Sequence, residues 1–327
     1  MSNDSKNYKT GQSVLCKVEA PEVGGYRVTV TPGNMEGFLP SQDPLDVGRQ
    51  IPATFVCMSG DRALLTFAYM IGTTERVQFS TSSDSVNAFA VWADSYPTDL
   101  RLRRAIDIIM PPVDGQVRET NSAETPLTEL EALLEKSQLT GCLKAQSEQR
   151  LSRSAALLYQ GRIVGCMYGT KSENEPLTME RSMNMMVSDL ARDDTTMQIY
   201  SLPEEIILAM SALFLGCPIE IVSDMRIADA AVALLTELKE RSDTACLTLS
   251  TDSGAISVSF VFRGRFTGTF LVEKQQYLPS AELTMHLPEA FEQARLDASF
   301  LPAVMTSESM QYGYTFRHLI EHAKHHM

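Results

Sequence analysis

Four histidines crowd the last ten residues, and their spacing is the first feature that could do chemistry. On a helix, His318, His322 and either His325 or His326 share one face, which would suit a divalent-metal chelate. A terminal helix supplies neither an outer ring of supporting groups nor a dry cavity, so only adventitious metal affinity is expected there. Apart from His286 the chain has no other histidine, which leaves nucleophile-and-base pairs without a base. No G-x-x-x-x-G-K-[ST] loop, G-x-G-x-x-G turn, G-x-S-x-G elbow or H-E-x-x-H helix is present. Asp193-Asp194 and Glu204-Glu205 are expected at helix starts, where acids complement the macrodipole. No catalytic site and no cofactor are expected.

The remaining chemistry is electrostatic contact and stacking. Lys17, Arg27 and Arg62 stand at outward strand positions of an N-terminal β-rich segment, with Phe38 the nearby aromatic. A second basic cluster, Arg101, Arg103 and Arg104, follows Trp92 and Tyr96. Clustered cations beside aromatics are candidates for nucleic-acid contact. The whole chain opposes this, because its net charge is −13, so any nucleic-acid contact must be local.

The elements that would position these residues can be read from periodicity. Hydrophobic residues make up 44% of the 327 and charged residues 21%, a globular balance in a chain long enough for more than one core. From Tyr8 to Tyr69 the pattern alternates in period two. Val14, Cys16 and Val18 point one way, and Val28 and Val30 repeat the pattern, leaving Arg27, Thr29 and Thr31 outward. Phe38 and Leu39, then Ile51, Thr54–Val56 and Ala63–Phe67, supply the remaining short strands to make five, with Ser59-Gly60-Asp61 as a hairpin turn. Five short strands in some sixty residues suit a closed OB-type barrel, which leaves no open edge.

Gly24-Gly25-Tyr26-Arg27-Val28-Thr29-Val30 and Glu36-Gly37-Phe38-Leu39-Pro40-Ser41-Gln42 carry a family resemblance. They are similar to the S-one domain, named for an RNA-binding protein of the small ribosomal subunit, over about a fifth of the chain. The resemblance implies single-stranded RNA across the outer face of the middle strands, held by Lys17, Arg27 and Arg62 and stacked on Phe38. Arg27 stands where many relatives carry an aromatic, and Pro40 where many carry histidine.

The rest of the chain shows internal self-similarity. Leu130–Lys136 before Thr140-Gly141-Cys142-Leu143 is answered by Leu234–Glu240 before Thr244-Ala245-Cys246-Leu247. Tyr159-Gln160-Gly161-Arg162 is answered by Phe262-Arg263-Gly264-Arg265. Each unit reads as helix, strand, turn, strand, tight glycine turn, strand, then a helical and looped half. The first unit also resembles bacterial PATAN-like regulatory domains, which implies protein–protein regulation. The apolar run Ile206–Val222 is too short for a membrane span and reads as a buried helix followed by a strand.

The expected organisation is therefore multidomain, β then α+β: a flexible tail (1–7), an S-one-like barrel (8–70), and a helical connector and linker (71–122). Two tandem α+β repeats (123–222 and 223–317) and a His-rich terminal helix or tail (318–327) follow. The expected function is non-enzymatic RNA binding of modest affinity by the barrel, coupled to a duplicated module for protein contact or self-association. The alternative is a signalling or scaffold protein whose barrel docks proteins and binds no RNA. Six scattered cysteines without a C-x-x-C pair and an N-terminus without an apolar leader point to a reduced, cytoplasmic, membrane-free setting.

Overall fold

The computed structural model describes residues 8, 11–31, 33–41, 44–59, 61–69, 108–113, 115–170, 177, 179–219, 221, 225–251, 254–279, 294–301, 314–317 and 320. Arg101, Arg103, Arg104, His318, His322, His325 and His326 lie outside the described residues.

Five strands form a closed barrel: β1 (Ser13–Glu22), β2 (Gly25–Thr31), β3 (Met35–Pro40), β4 (Gln50–Ser59) and β5 (Arg62–Phe67). They close in the order β1-β2-β3-β5-β4, with β3 and β5 parallel and the other pairs antiparallel. The period-two alternation sets this out directly. Cys16, Val18, Val28, Val30, Leu39, Ala53 and Leu65 are fully buried inside it. A bulge between Val18 and Ala20 turns β1 at its far end. Tyr26 packs against this core, and its hydroxyl accepts the Leu45 amide at 2.9 Å.

Two antiparallel sheets follow. The first contains β6 (Arg118–Asn121), β7 (Gly141–Ser147), β8 (Ser152–Tyr159), β9 (Arg162–Thr170) and β10 (Thr195–Ser201), in the order β6-β10-β7-β8-β9. The second contains β11 (Cys217–Ile219), β12 (Thr244–Thr251), β13 (Gly254–Phe262), β14 (Arg265–Leu271), β15 (Gln276–Pro279) and β16 (Arg295–Leu301), in the order β11-β16-β12-β13-β14-β15. Three successive strands of the first sheet (β7–β9) and four of the second (β12–β15) form a meander, and a later strand returns beside the first: β10 beside β7, β16 beside β12.

Helices are few. Helix α1 (Leu127–Glu131) runs into a π-helical turn, Ala132–Lys136, before β7. Helix α2 (Met179–Leu190) packs with it on one face of the first sheet, where Leu130, Leu134, Met183, Met186 and Val187 meet Leu143, Ala156 and Leu158. Helix α3 (Glu204–Leu215) buries every residue from Ile206 to Leu213. A helix apolar all round must be covered on all sides. Accordingly, α3 lies between the sheets, sharing one core with Leu157 and Val164 of the first and Leu247, Phe260 and Phe300 of the second. Helix α4 (Ile227–Arg241) precedes β12 and adds Ala230, Ala231, Leu234 and Leu238 to that core.

The glycine turns after β8 and β13 have matching geometry. Gln160-Gly161 and Arg263-Gly264 are both left-handed pairs, with φ of 48° and 77° in one and 48° and 73° in the other. This is the type I′ hairpin conformation. Gly161 donates its amide to Leu139 O at 2.9 Å, and Gly264 donates to Asp243 O at 2.8 Å. A Cβ on Gly161 would stand 2.8 Å from Leu134 O, and one on Gly264 would stand 3.0 Å from Lys239 O. Replacing either glycine by alanine is therefore expected to cost more than ~1 kcal/mol, read as a lowered urea midpoint.

The sequence reading and the fold differ at two places. The expected connector and linker runs to residue 122, yet Arg118–Asn121 pairs with β10 as an edge strand. Asp193-Asp194 does not begin a helix but lies in the turn before β10. There Asp194 accepts from Ser147 Oγ at 2.9 Å. Glu204-Glu205 does sit in the first turn of α3.

The last described segment crosses back to the first sheet. Tyr314 exchanges both backbone hydrogen bonds with Ile163 of β9, each at 2.8 Å. Phe316, fully buried, and Ile320 enter the core beneath α1 and α2. Arg317 pairs with Glu131 at 2.8 Å. No helix among the described residues is long and apolar enough to cross a membrane.

Candidate nucleic-acid interface

Strand pairing builds the barrel's outer face in cross-strand rows. Lys17, Thr29 and Glu36 form one row across β1, β2 and β3. Arg27, Phe38 and Leu64 form the next, across β2, β3 and β5. Lys17, Arg27 and Phe38 therefore lie in adjacent rows of the sheet.

Their charges are largely matched. Lys17 Nζ lies 3.3 Å from Glu19, which also accepts from the Thr29 hydroxyl at 3.2 Å. Arg62 grips Glu22 through both terminal nitrogens, at 3.0 and 3.2 Å, and Glu36 at 2.6 Å. The Arg62 hydrogen bond holds the Glu22 carboxyl below the usual carboxylate range, against slight desolvation and with help from the Arg62 and Arg27 charges. A phosphate arriving here would have to displace carboxylates that already occupy the guanidinium fork. The Arg27 side chain is exposed and makes no direct hydrogen bond or ion pair among the described residues.

The aromatic member of the set faces the protein. Phe38 is half-buried and packs against the core shared by the sheets, of which Val56 and Leu64 of the barrel are members. The barrel thus presents its β3-β5-β4 side to the rest of the chain.

A polar latch fixes that contact. Arg241, at the end of α4, lays its guanidinium 3.7 Å from the Tyr69 ring centre and 5.2 Å from that of Phe300. It pairs with Asp243 at 3.1 Å and donates to Phe67 O at 3.0 Å. The Tyr69 hydroxyl donates to Asp243 Oδ2 at 2.8 Å. Burial, together with the Asp243 charge, pushes the Tyr69 hydroxyl's pKa well above its ordinary value. At the barrel's other contact Gly11 abuts Pro218, and the Cys217 thiol points at Phe55 O. Sequence reasoning missed the latch because Tyr69 and Asp243 are 174 positions apart and no local pattern links them.

Among the described residues no group of His, Cys, Asp or Glu side chains is arranged to hold a metal ion. Cys16, Cys142, Cys166, Cys217 and Cys246 are buried and unpaired, and Cys57 is half-buried. Burial pushes the thiols of Cys16 and Cys217 up to about 12 and that of Cys142 to about 11. Since the thiolate is the reactive form, native protein should yield at most the Cys57 thiol to a disulfide reagent at pH 8, and all six on denaturation. Rapid modification of several thiols in native protein would contradict this burial.

These features define a closed five-stranded barrel, consistent with an OB-like fold, seated on antiparallel sheets with few helices. No family model matches the chain, and no curated protein matches it.

Proposed function

We propose that this chain is a non-enzymatic regulatory or scaffold protein in which the OB-like barrel acts as a protein-docking module. The observation that carries the reading is the packing of Phe38, Val56 and Leu64 against the sheet core, secured by Tyr69 and Arg241. A barrel face that usually meets RNA in the S-one family is here committed in part to protein contact. The pairing of Lys17 and Arg62 with Glu19, Glu22 and Glu36 points the same way.

The two sheets are read as copies of one duplicated α+β unit that supplies the regulatory surface. Their shared order, helix then meander then returning strand, and their matching glycine turns support the duplication. The resemblance of the first unit to PATAN-like domains supports a regulatory role. Affinity capture with the full chain tests the reading. Protein partners that survive nuclease treatment agree with it; partners that disappear with nuclease oppose it.

A second reading, single-stranded RNA binding, is favoured by one observation. Arg27 is exposed beside Phe38, within the glycine and G-F-L-P-S-Q framework of the S-one resemblance. RNA would then run along the β1-β2 side of the barrel, clear of the latch.

A further inference from the structure

The first sheet carries a second surface whose side chains are sorted by charge, and it lies away from the barrel face. On the side facing α3, the apolar residues Cys142, Leu157 and Tyr200 give way along the strands to two polar rows. One row runs Glu119, Gln198, Lys144 across β6, β10 and β7. The other runs Asn121, Thr196, Gln146, Arg153 across β6, β10, β7 and β8. Directly paired residues on antiparallel strands share a face, so these side chains stand on one floor. Gln275, in the turn between β14 and β15 of the second sheet, overhangs it, and the residues together enclose a cleft of about 590 Å³. That is the size of a small-molecule site.

The charges do not alternate as on an ordinary solvated sheet. Glu119 and Glu124 stand at the β6 end, Lys144 and Arg153 at the β7-β8 end, and amides and a hydroxyl fill the middle. Several of these groups are held in place. Lys144 donates to Ile109 O at 3.3 Å and sits 5.7 Å from the Tyr200 ring centre. Gln198 Nε2 donates to Glu119 at 3.0 Å, Asn121 Oδ1 accepts the Glu124 amide at 2.9 Å, and Gln275 Nε2 donates to Val272 O at 2.8 Å. Fixed groups bind with less ordering cost than mobile ones.

We propose that this cleft binds a zwitterion of short-peptide length, with its ammonium at Glu119 and Glu124 and its carboxylate at Lys144 and Arg153. Strands about 4.8 Å apart put β6 and β7 roughly 10 Å apart across β10, and an extended chain of about three residues spans that distance. The amides of Gln146 and Gln198 lie between the charged ends, where the peptide groups of such a ligand would run. The site is independent of what the barrel binds.

Calorimetric titration of the full chain with tri-alanine tests this. Saturable binding is expected, weakened ~10-fold or more by N-acetylation or by C-amidation of the peptide. Each end is also addressed from the protein side. Glu119→Gln should reduce the penalty for N-acetylation, and Arg153→Gln should reduce the penalty for C-amidation. Both residues are exposed, so the folded state, checked by circular dichroism, is retained. No saturable binding up to ~10 mM, or equal affinity for free and doubly capped peptide, overturns the proposal.

Discussion

Replacing Arg241 by alanine is expected to lower the stability of the docked barrel by about 3–5 kcal/mol, because it takes away the cation facing a buried carboxylate. The Arg241 and Asp243 side chains are 19% and 6% exposed, so solvent screens this pair little. The guanidinium also stacks on Tyr69 and caps the carbonyl of Phe67, the last residue of β5. One substitution therefore removes a ring contact and a hydrogen bond that join α4 to the barrel, together with the local ion pair that neutralises Asp243, itself bonded to the Tyr69 hydroxyl. Lysine should restore only part of the loss, since an ammonium neither forks nor stacks as a guanidinium does. Tyr69→Phe removes the hydroxyl on Asp243 and should couple to Arg241→Ala in a double-mutant cycle by more than ~0.5 kcal/mol. Denaturant titration with hydrogen exchange of the barrel amides reads both effects. A loss under ~1 kcal/mol, with additive single effects, would show that the latch does not hold the barrel.

The second large effect lies at the other end of the chain. Phe316→Ala should destabilise the first sheet by about 3–5 kcal/mol, the range for emptying a fully buried aromatic site. Phe316 reaches this core from a segment that follows the second sheet in sequence, so the loss appears in a unit to which it does not belong by order. The amide of Ile163, which donates to Tyr314 O, should lose exchange protection first. If the denaturant midpoint hardly moves and Ile163 stays protected, the C-terminal segment is not part of that core.

The barrel was legible because its physics is local. Alternation of Cys16, Val18, Val28 and Val30 declares which side is inside, and glycine turns mark where strands reverse. Helix α3 was legible for a similar reason, as an apolar run too short for a membrane. By contrast β6 was hidden, because Arg118-Glu119-Thr120-Asn121 has no apolar face and is held by backbone pairing at a sheet edge. The candidate site was legible as a set of outward positions but not as an electrostatic surface. Arg62 and Glu22 are 40 positions apart, and only barrel closure brings them into contact. Phe38 illustrates the same limit. Its strand position says that it leaves the barrel core, and nothing local says that another core receives it.

Whether the barrel face serves protein contact or RNA is tested most directly by fluorescence anisotropy of a labelled single-stranded RNA with the full chain. The titration is repeated from ~50 to ~200 mM salt, with wild type and Arg27→Ala. Because Lys17 and Arg62 are paired with carboxylates, Phe38 is packed inward and Arg27 alone is left exposed, the face should give no saturable binding that weakens with salt. Binding that falls steeply with salt and is lost on Arg27→Ala would contradict this and establish the barrel as an RNA-binding surface.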